Sequence, residues 1–159
     1  MSDARALCEQ LAAALAGRGW MLATAESCTG GLIAAACTDL SGSSTWFERG
    51  FVTYSNAAKT ELLGVDAGLI ARHGAVSEVV ARAMAFGAVR HSGAQVGVAV
   101  TGIAGPTGGS ADKPVGTVWF GFSVDGQLSS ETRRFDGDRA AVRAAAVRHA
   151  LQRLLQLLP

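Results

Sequence analysis

A serine hydroxyl and a lysine amine are weak reagents apart, but become an effective pair when the amine is uncharged and within reach of the hydroxyl. Three short polar clusters hold groups of this kind. The first is Thr24-Ala25-Glu26-Ser27-Cys28-Thr29-Gly30-Gly31. The second is Tyr54-Ser55-Asn56-Ala57-Ala58-Lys59. The third is Thr101-Gly102-Ile103-Ala104-Gly105-Pro106-Thr107-Gly108-Gly109. Ser27 lies just before a predicted helix start, where free N–H groups and the helix dipole can receive an oxyanion. Gly30 and Gly31 would let a substrate approach the backbone closely. The same pattern also fits a plain N-cap by Ser27 or Thr29.

A nucleophilic serine needs a base. Of the three histidines, His73, His91 and His149, none lies in a cluster. His91 and His149 read as helix-surface residues, so a Ser-His-Asp triad finds no support. Lys59 is the better base. It falls near the start of a short helix, where the dipole and any desolvation lower the pKa of an amine. An ordinary exposed helix lysine would look the same. Tyr54, the single tyrosine, could relay a proton, orient the lysine or substrate, or merely end a strand with its hydroxyl in water. Cys28 is a rival nucleophile without an activating histidine and reads as a small packing residue.

The glycine-rich third cluster resembles a cradle of backbone N–H groups for phosphate or oxyanion. It lacks the Gly-Lys-Ser/Thr of a P-loop and is a poor dinucleotide fingerprint. Arg133, Arg134, Arg139 and Arg143 cluster late in the chain. Arg139 and Arg143 share one helix face and could hold a phosphate or form a solvated surface. No His, Cys and Asp grouping has zinc-ligand spacing, so no metal is expected.

The elements that must position these groups follow from periodicity and breakers. Leu7, Leu11 and Leu15 mark an amphipathic helix over Asp3–Gly17, and Trp20–Ala25 a buried strand. A close-packed helix is predicted for Leu32–Thr38, then a strand over Phe47–Tyr54. A short helix capped by Ser55 or Asn56 runs to Leu63 and stops at Gly64. Ser77-Glu78 opens the next helix, with Val80, Ala83, Met84 and Gly87 on one face, and Gln95–Thr101 is a strand. Asp125-Gly126 joins Thr117–Val124 to Leu128–Phe135 as a hairpin. Asp138 caps a last helix with Val147, Leu151, Leu154, Leu155 and Leu158 on one face. The alternation predicts a three-layer α/β/α domain with a mixed, partly parallel sheet of about five strands. In such sheets sites gather at the carboxyl ends of strands, which is where the three clusters fall.

With 159 residues and no linker or repeat, residues 1–159 read as one domain. Hydrophobic residues make up 49% and charged residues 17%, which excludes a disordered chain. A net charge of +1 gives no reason to expect nucleic acid or an acidic membrane as partner. Cys8, Cys28 and Cys37, odd in number and unpaired in spacing, read as reduced thiols in a cytoplasmic protein. The N-terminus carries charge where a signal peptide needs an apolar stretch, and no apolar run approaches a membrane span. Positive mean hydropathy and the leucine-rich last helix permit a homo-oligomer without requiring one.

Taken together, the three clusters resemble the CinA C-terminal domain family. The resemblance is carried by Ala25–Gly31, by Gly50-Phe51-Val52-Thr53-Tyr54-Ser55-Asn56 with Lys59, by Gly74-Ala75-Val76-Ser77, by Thr101–Pro106 with Gly108-Gly109, and by Lys113-Pro114-Val115-Gly116-Thr117-Val118. It spans the chain from about Trp20 to the last helix. It implies a stand-alone form without the nucleotide-binding N-terminal domain of longer members. It also implies hydrolysis of the carboxamide of nicotinamide mononucleotide to nicotinate mononucleotide and ammonia, in pyridine-nucleotide recycling, with no cofactor. The family's nucleophile falls on Ser27 and its lysine base on Lys59. Its active-site tyrosine and threonine fall on Tyr54 and Thr101, and its phosphate-binding arginine on Arg139, with Arg143 second. Thr29, Gly30, Gly31, Asn56, Thr101, Gly102 and Gly105 are expected to bind substrate. The alternative is a non-catalytic module of the same fold that binds a nucleotide or phosphate.

Overall fold

The computed structural model describes residues 2–159. Helix α1 (Ser2–Arg18) buries Leu11 and Leu15 and leads into β1 (Leu22–Glu26), which is buried along its whole length. Burial on both faces is what a central parallel strand requires. Helix α2 (Leu32–Thr38) and a 3-10 turn (Ser43–Thr45) carry the chain to β2 (Phe47–Val52). Three helices follow: α3 (Asn56–Leu63), α4 (Ala67–His73) and α5 (Glu78–Ser92). Then come β3 (Val96–Gly102), β4 (Thr117–Val124), β5 (Gln127–Arg134) and α6 (Arg139–Leu157).

The strands form one sheet in the order β2-β1-β3-β4-β5. β1 runs parallel to β2 and β3, while β3–β4 and β4–β5 are antiparallel. Period-2 alternation splits the core in two. Leu22, Val96, Val98, Val100, Phe120 and Phe122 pack with α1, α2 and α6, whereas Ala23, Ala25 and Ala99 pack with α3, α4 and α5. The three-layer α/β/α arrangement and mixed five-stranded sheet expected from the sequence are therefore present.

The second face uses small residues so that α5 can press its backbone close. A Cβ on Gly121 would lie 2.2 Å from the Ala81 carbonyl oxygen, and one on Gly87 would lie 2.1 Å from that of Leu63. At the hairpin, Asp125 (φ 49°) and Gly126 (φ 83°) both take positive φ, as a type I′ turn demands.

Several expectations need correction. Helix α4 was not foreseen; Asp66 caps it by accepting from the Gly68 N–H at 2.9 Å. Strand β2 stops at Val52, two residues early, because Thr53 and Tyr54 turn their carbonyls to Lys59. Ser77 stands at the N-cap of α5, but its hydroxyl donates to the Gly74 carbonyl instead of capping. His149 is no surface residue. Its side chain is 10% exposed, bonded to Glu131 at 2.6 Å, and its ring centroid lies 4.6 Å from that of Phe120. Among the described residues, no helix is long and apolar enough to cross a membrane, and no group of three His, Cys, Asp or Glu side chains could hold a metal ion.

Candidate active site

The chain leaves β1 toward one face of the sheet through α2, and leaves β2 toward the other face through α3. That divergence opens a crevice at the carboxyl ends of β1, β2 and β3. Ser27 is the first residue past β1, and its N–H donates to the Val100 carbonyl at 2.9 Å. The Thr53 N–H donates to the Glu26 carbonyl at 2.9 Å, tying the end of β2 to the end of β1. Helix α3 begins at once, capped by Ser55, whose hydroxyl accepts from the Ala58 N–H. Lys59 is the fourth residue of α3, so its side chain folds back over the strand end it has just left.

The lysine amine meets the serine there. Lys59 Nζ lies 3.0 Å from Ser27 Oγ, 2.9 Å from the Thr53 oxygen and 3.1 Å from the Tyr54 oxygen. Lys59 is 1% exposed, and burial pushes its pKa below the ordinary lysine range. An uncharged amine has two hydrogens and one lone pair. With its two hydrogens on the carbonyls at 2.9 and 3.1 Å, an uncharged amine would turn its lone pair to the serine hydroxyl, whereas a charged one donates to Ser27 Oγ. Cys28, beside Ser27, is buried, and its thiol is pushed up to about 11, chiefly by desolvation. It therefore stays protonated at neutral pH and is a poor nucleophile.

A cleft of about 250 Å³ opens onto this pair. It is lined by Ser27, Cys28, Tyr54, Asn56, Lys59, Ala75, Val76, Thr101, Gly102, Ala104 and Arg139. Seven of the twelve residues singled out from sequence thus share one cleft: Ser27, Lys59, Tyr54, Asn56, Thr101, Gly102 and Arg139. The Thr101 hydroxyl donates to the Ala75 carbonyl at 3.0 Å, which fixes the loop before α5 against β3. Arg139 donates to the Gly105 carbonyl at 2.9 Å and to the Tyr54 hydroxyl at 3.3 Å, spanning the mouth. Arg139 is exposed, so a ligand can reach it.

Tyr54 serves the pair with its main chain more than with its ring. Its carbonyl accepts from Lys59, whereas its side chain is 61% exposed and, among the described residues, its hydroxyl bonds only to Arg139. The remaining five residues do not line the cleft. Thr29 is fully buried, Gly30 and Gly31 lead to α2, and Gly105 lies beneath Arg139. Arg143 reaches the back of the Ser27 loop, donating to the Cys28 carbonyl at 3.0 Å and the Thr29 carbonyl at 3.3 Å.

Sequence reasoning missed the task of Glu26. This carboxylate is 1% exposed and accepts from the Thr29 hydroxyl at 2.6 Å, the Ile33 N–H at 2.9 Å and the Ala34 N–H at 3.0 Å. It fills the N-terminus of α2, whose own N-cap, Gly31, has no side chain to offer. The first-turn N–H groups of α2 are therefore spent and are not donors for a substrate oxyanion. The signal was a glycine N-cap with a carboxylate five residues upstream.

Comparison with known proteins gives a consistent picture. The family model described as CinA C-terminal domain matches residues 4–158. The chain is 57% identical over 148 residues to the nicotinamide-nucleotide amidohydrolase PncC of Enterobacter agglomerans, covering 92% of this chain and 90% of that protein. It is 53% identical over 156 residues to the protein of the same name from Escherichia coli (strain K12), covering 98% and 94%. A crystal structure of a competence-damaged protein (CinA) superfamily protein from Escherichia coli superposes with a TM-score of 0.95 at 42% identity, covering 99% of this chain and 92% of that one.

Proposed function

This chain belongs to the CinA C-terminal domain family, and from that premise we propose that it deamidates nicotinamide mononucleotide with a Ser27–Lys59 dyad. Relatives named as nicotinamide-nucleotide amidohydrolases, matched over nearly their full length, support the substrate. The observation that carries the mechanism is the buried amine of Lys59 at 3.0 Å from Ser27 Oγ.

The Lys59 lone pair takes the Ser27 proton as Oγ attacks the carboxamide carbon. The carbonyl oxygen becomes an oxyanion and is held by backbone N–H groups at the cleft. Lys59 then passes its proton to the leaving nitrogen, and ammonia departs, leaving a nicotinoyl ester on Ser27. Water, deprotonated by the neutral lysine, attacks the ester. The lysine returns the proton to Oγ, and nicotinate mononucleotide is released. Arg139, exposed at the mouth, pairs with the phosphate. Asn56, Thr101 and Gly102 flank the ring and ribose. All of residues 1–159 act as one domain in the cytoplasm, without metal or organic cofactor, and the reaction recycles pyridine nucleotides toward NAD.

Ammonia release from nicotinamide mononucleotide by the purified protein tests this. Ser27→Ala should abolish release without moving Tm by more than a few degrees, since among the described residues Oγ hydrogen-bonds only with Lys59 and, at 3.4 Å, the Tyr54 carbonyl. Undiminished turnover would end the assignment. Binding of the nucleotide without turnover by the unaltered protein would instead favour the non-catalytic module.

A further inference from the structure

Arg143 sits in the second turn of α6, next to the nucleophile but behind the cleft. Its position is electrostatically costly, because the positive end of the helix dipole lies there. What it gains is two acceptors: Nε donates to the Cys28 carbonyl and Nη2 to the Thr29 carbonyl. Gly30 leaves room for this approach. Its φ is +59°, and a Cβ there would lie 3.4 Å from Arg143 Nη2.

The peptide unit is planar, so holding a C=O also aims the N–H across the same bond. By gripping the Thr29 carbonyl, Arg143 fixes the plane that carries the Gly30 N–H. That N–H donates to the Ser27 carbonyl at 3.0 Å. The Ser27 carbonyl in turn belongs to the plane that carries the Cys28 N–H. The Cys28 carbonyl is held by Arg143 directly. The peptide planes on both sides of Cys28 are therefore locked from one guanidinium.

The Cys28 N–H matters because of what else is spent. The Ser27 N–H goes to Val100, the Gly30 N–H to Ser27, the Leu32 N–H to Thr29, and the Ile33 and Ala34 N–H groups to Glu26. Among the described residues the N–H groups of Cys28, Thr29 and Gly31 donate to no backbone or side-chain oxygen, and of these three residues it is Cys28 that lines the cleft beside Ser27. A free N–H on the residue after a nucleophile is well placed to receive the oxyanion formed there.

We propose that Arg143 is a positioning residue for the reaction: by clamping the Cys28 and Thr29 carbonyls it aims the Cys28 N–H as an oxyanion donor, and it does not bind the substrate phosphate. This rests on the reading of Ser27 as nucleophile. The clamp acts on the transition state, so its loss falls on kcat and leaves KM nearly untouched.

The test measures ammonia release from nicotinamide mononucleotide and from nicotinamide riboside, which bears the same carboxamide without the phosphate. Arg143→Ala should lower kcat by about 10²-fold on both substrates, the scale of a misplaced oxyanion donor, with KM within twofold of the unaltered protein. Added guanidinium ion at millimolar concentration should restore part of the lost kcat. Arg143→Lys keeps the stem and the charge but not the fork, and should lose about tenfold in kcat. It also serves where Arg143→Ala folds poorly by thermal melt. Arg139→Ala is the contrast, with KM raised for the mononucleotide and unchanged for the riboside. A rise in KM confined to the mononucleotide on changing Arg143, or unchanged kcat in both Arg143 variants of an active protein, would overturn the clamp alone. An unaltered protein that releases no ammonia would overturn the dyad reading and the clamp with it.

Discussion

Replacing Glu26 by glutamine exchanges one oxygen for nitrogen at a point where three donors converge. Oε1 accepts from the Thr29 hydroxyl and the Ile33 N–H, and Oε2 accepts from the Ala34 N–H. If the glutamine amide places its oxygen at the first site, its NH₂ faces Ala34. If it flips, Thr29 can turn its hydroxyl to accept, but the NH₂ then faces Ile33. Either way one first-turn N–H of α2 is buried against another donor. An unsatisfied buried donor costs about 1–3 kcal/mol. Loss of a negative charge at a helix N-terminus costs a further ~0.3–2 kcal/mol. Together these predict a loss of about 2–4 kcal/mol, or roughly 5–15 °C in Tm for a chain of this size. Urea unfolding at constant m-value reads the first figure and a thermal melt the second. Because Glu26 precedes Ser27 and its carbonyl accepts from Thr53, kcat should fall as well. A loss below about 0.5 kcal/mol would refute the account, since a donor–donor contact of this kind cannot be so mild.

The remaining predictions concern the base and the helix that carries it. Lys59 acts only when uncharged, so kcat/KM should climb with pH through its lowered pKa and level off before the ordinary lysine value of about 10.4. Lys59→Arg should abolish this limb and lose at least about 10²-fold in rate, because the guanidinium stays charged. An unchanged pH profile would remove Lys59 from the base role. The same shift affects stability. The unfolded lysine keeps its proton up to about 10.4 while the folded one releases it earlier, so between those values the unfolded chain binds more protons and stability rises with pH. Below the folded value the full penalty applies. Gly87→Ala would drive a methyl to 2.1 Å from the Leu63 oxygen at the end of α3. It should cost about 1–3 kcal/mol in a urea melt and slow ammonia release by displacing Lys59, whereas full stability would show that α3 yields freely.

Much of this was readable because local rules and tertiary structure agreed. The hairpin follows from Asp125-Gly126, α3 from Ser55 and Gly64, and α6 from Asp138, whose carboxylate accepts from the Ala141 N–H. Ser27 and Lys59 stood out because each abuts a strand end. Long-range partners were not readable. Glu131 holds both His149 and Arg153 from β5, 18 and 22 positions away, so a histidine on a helix flank looked like a surface one. Arg139 and Arg143 share a helix face, but periodicity cannot say that one overlooks the cleft and the other the back of the Ser27 loop. Helix α4 was missed because seven residues containing Gly68 carry too little pattern.

The amine of Lys59 is cradled mostly by the oxygens of Thr53, Tyr54 and Ser55, the last at 3.5 Å. Every amino acid brings that atom, so no exchange of side chains at those three places can delete it. The bend of the chain, not its lettering, is what inheritance has to preserve there. A graft of this chemistry onto another scaffold would have to copy a trajectory of main chain first and choose its residues second.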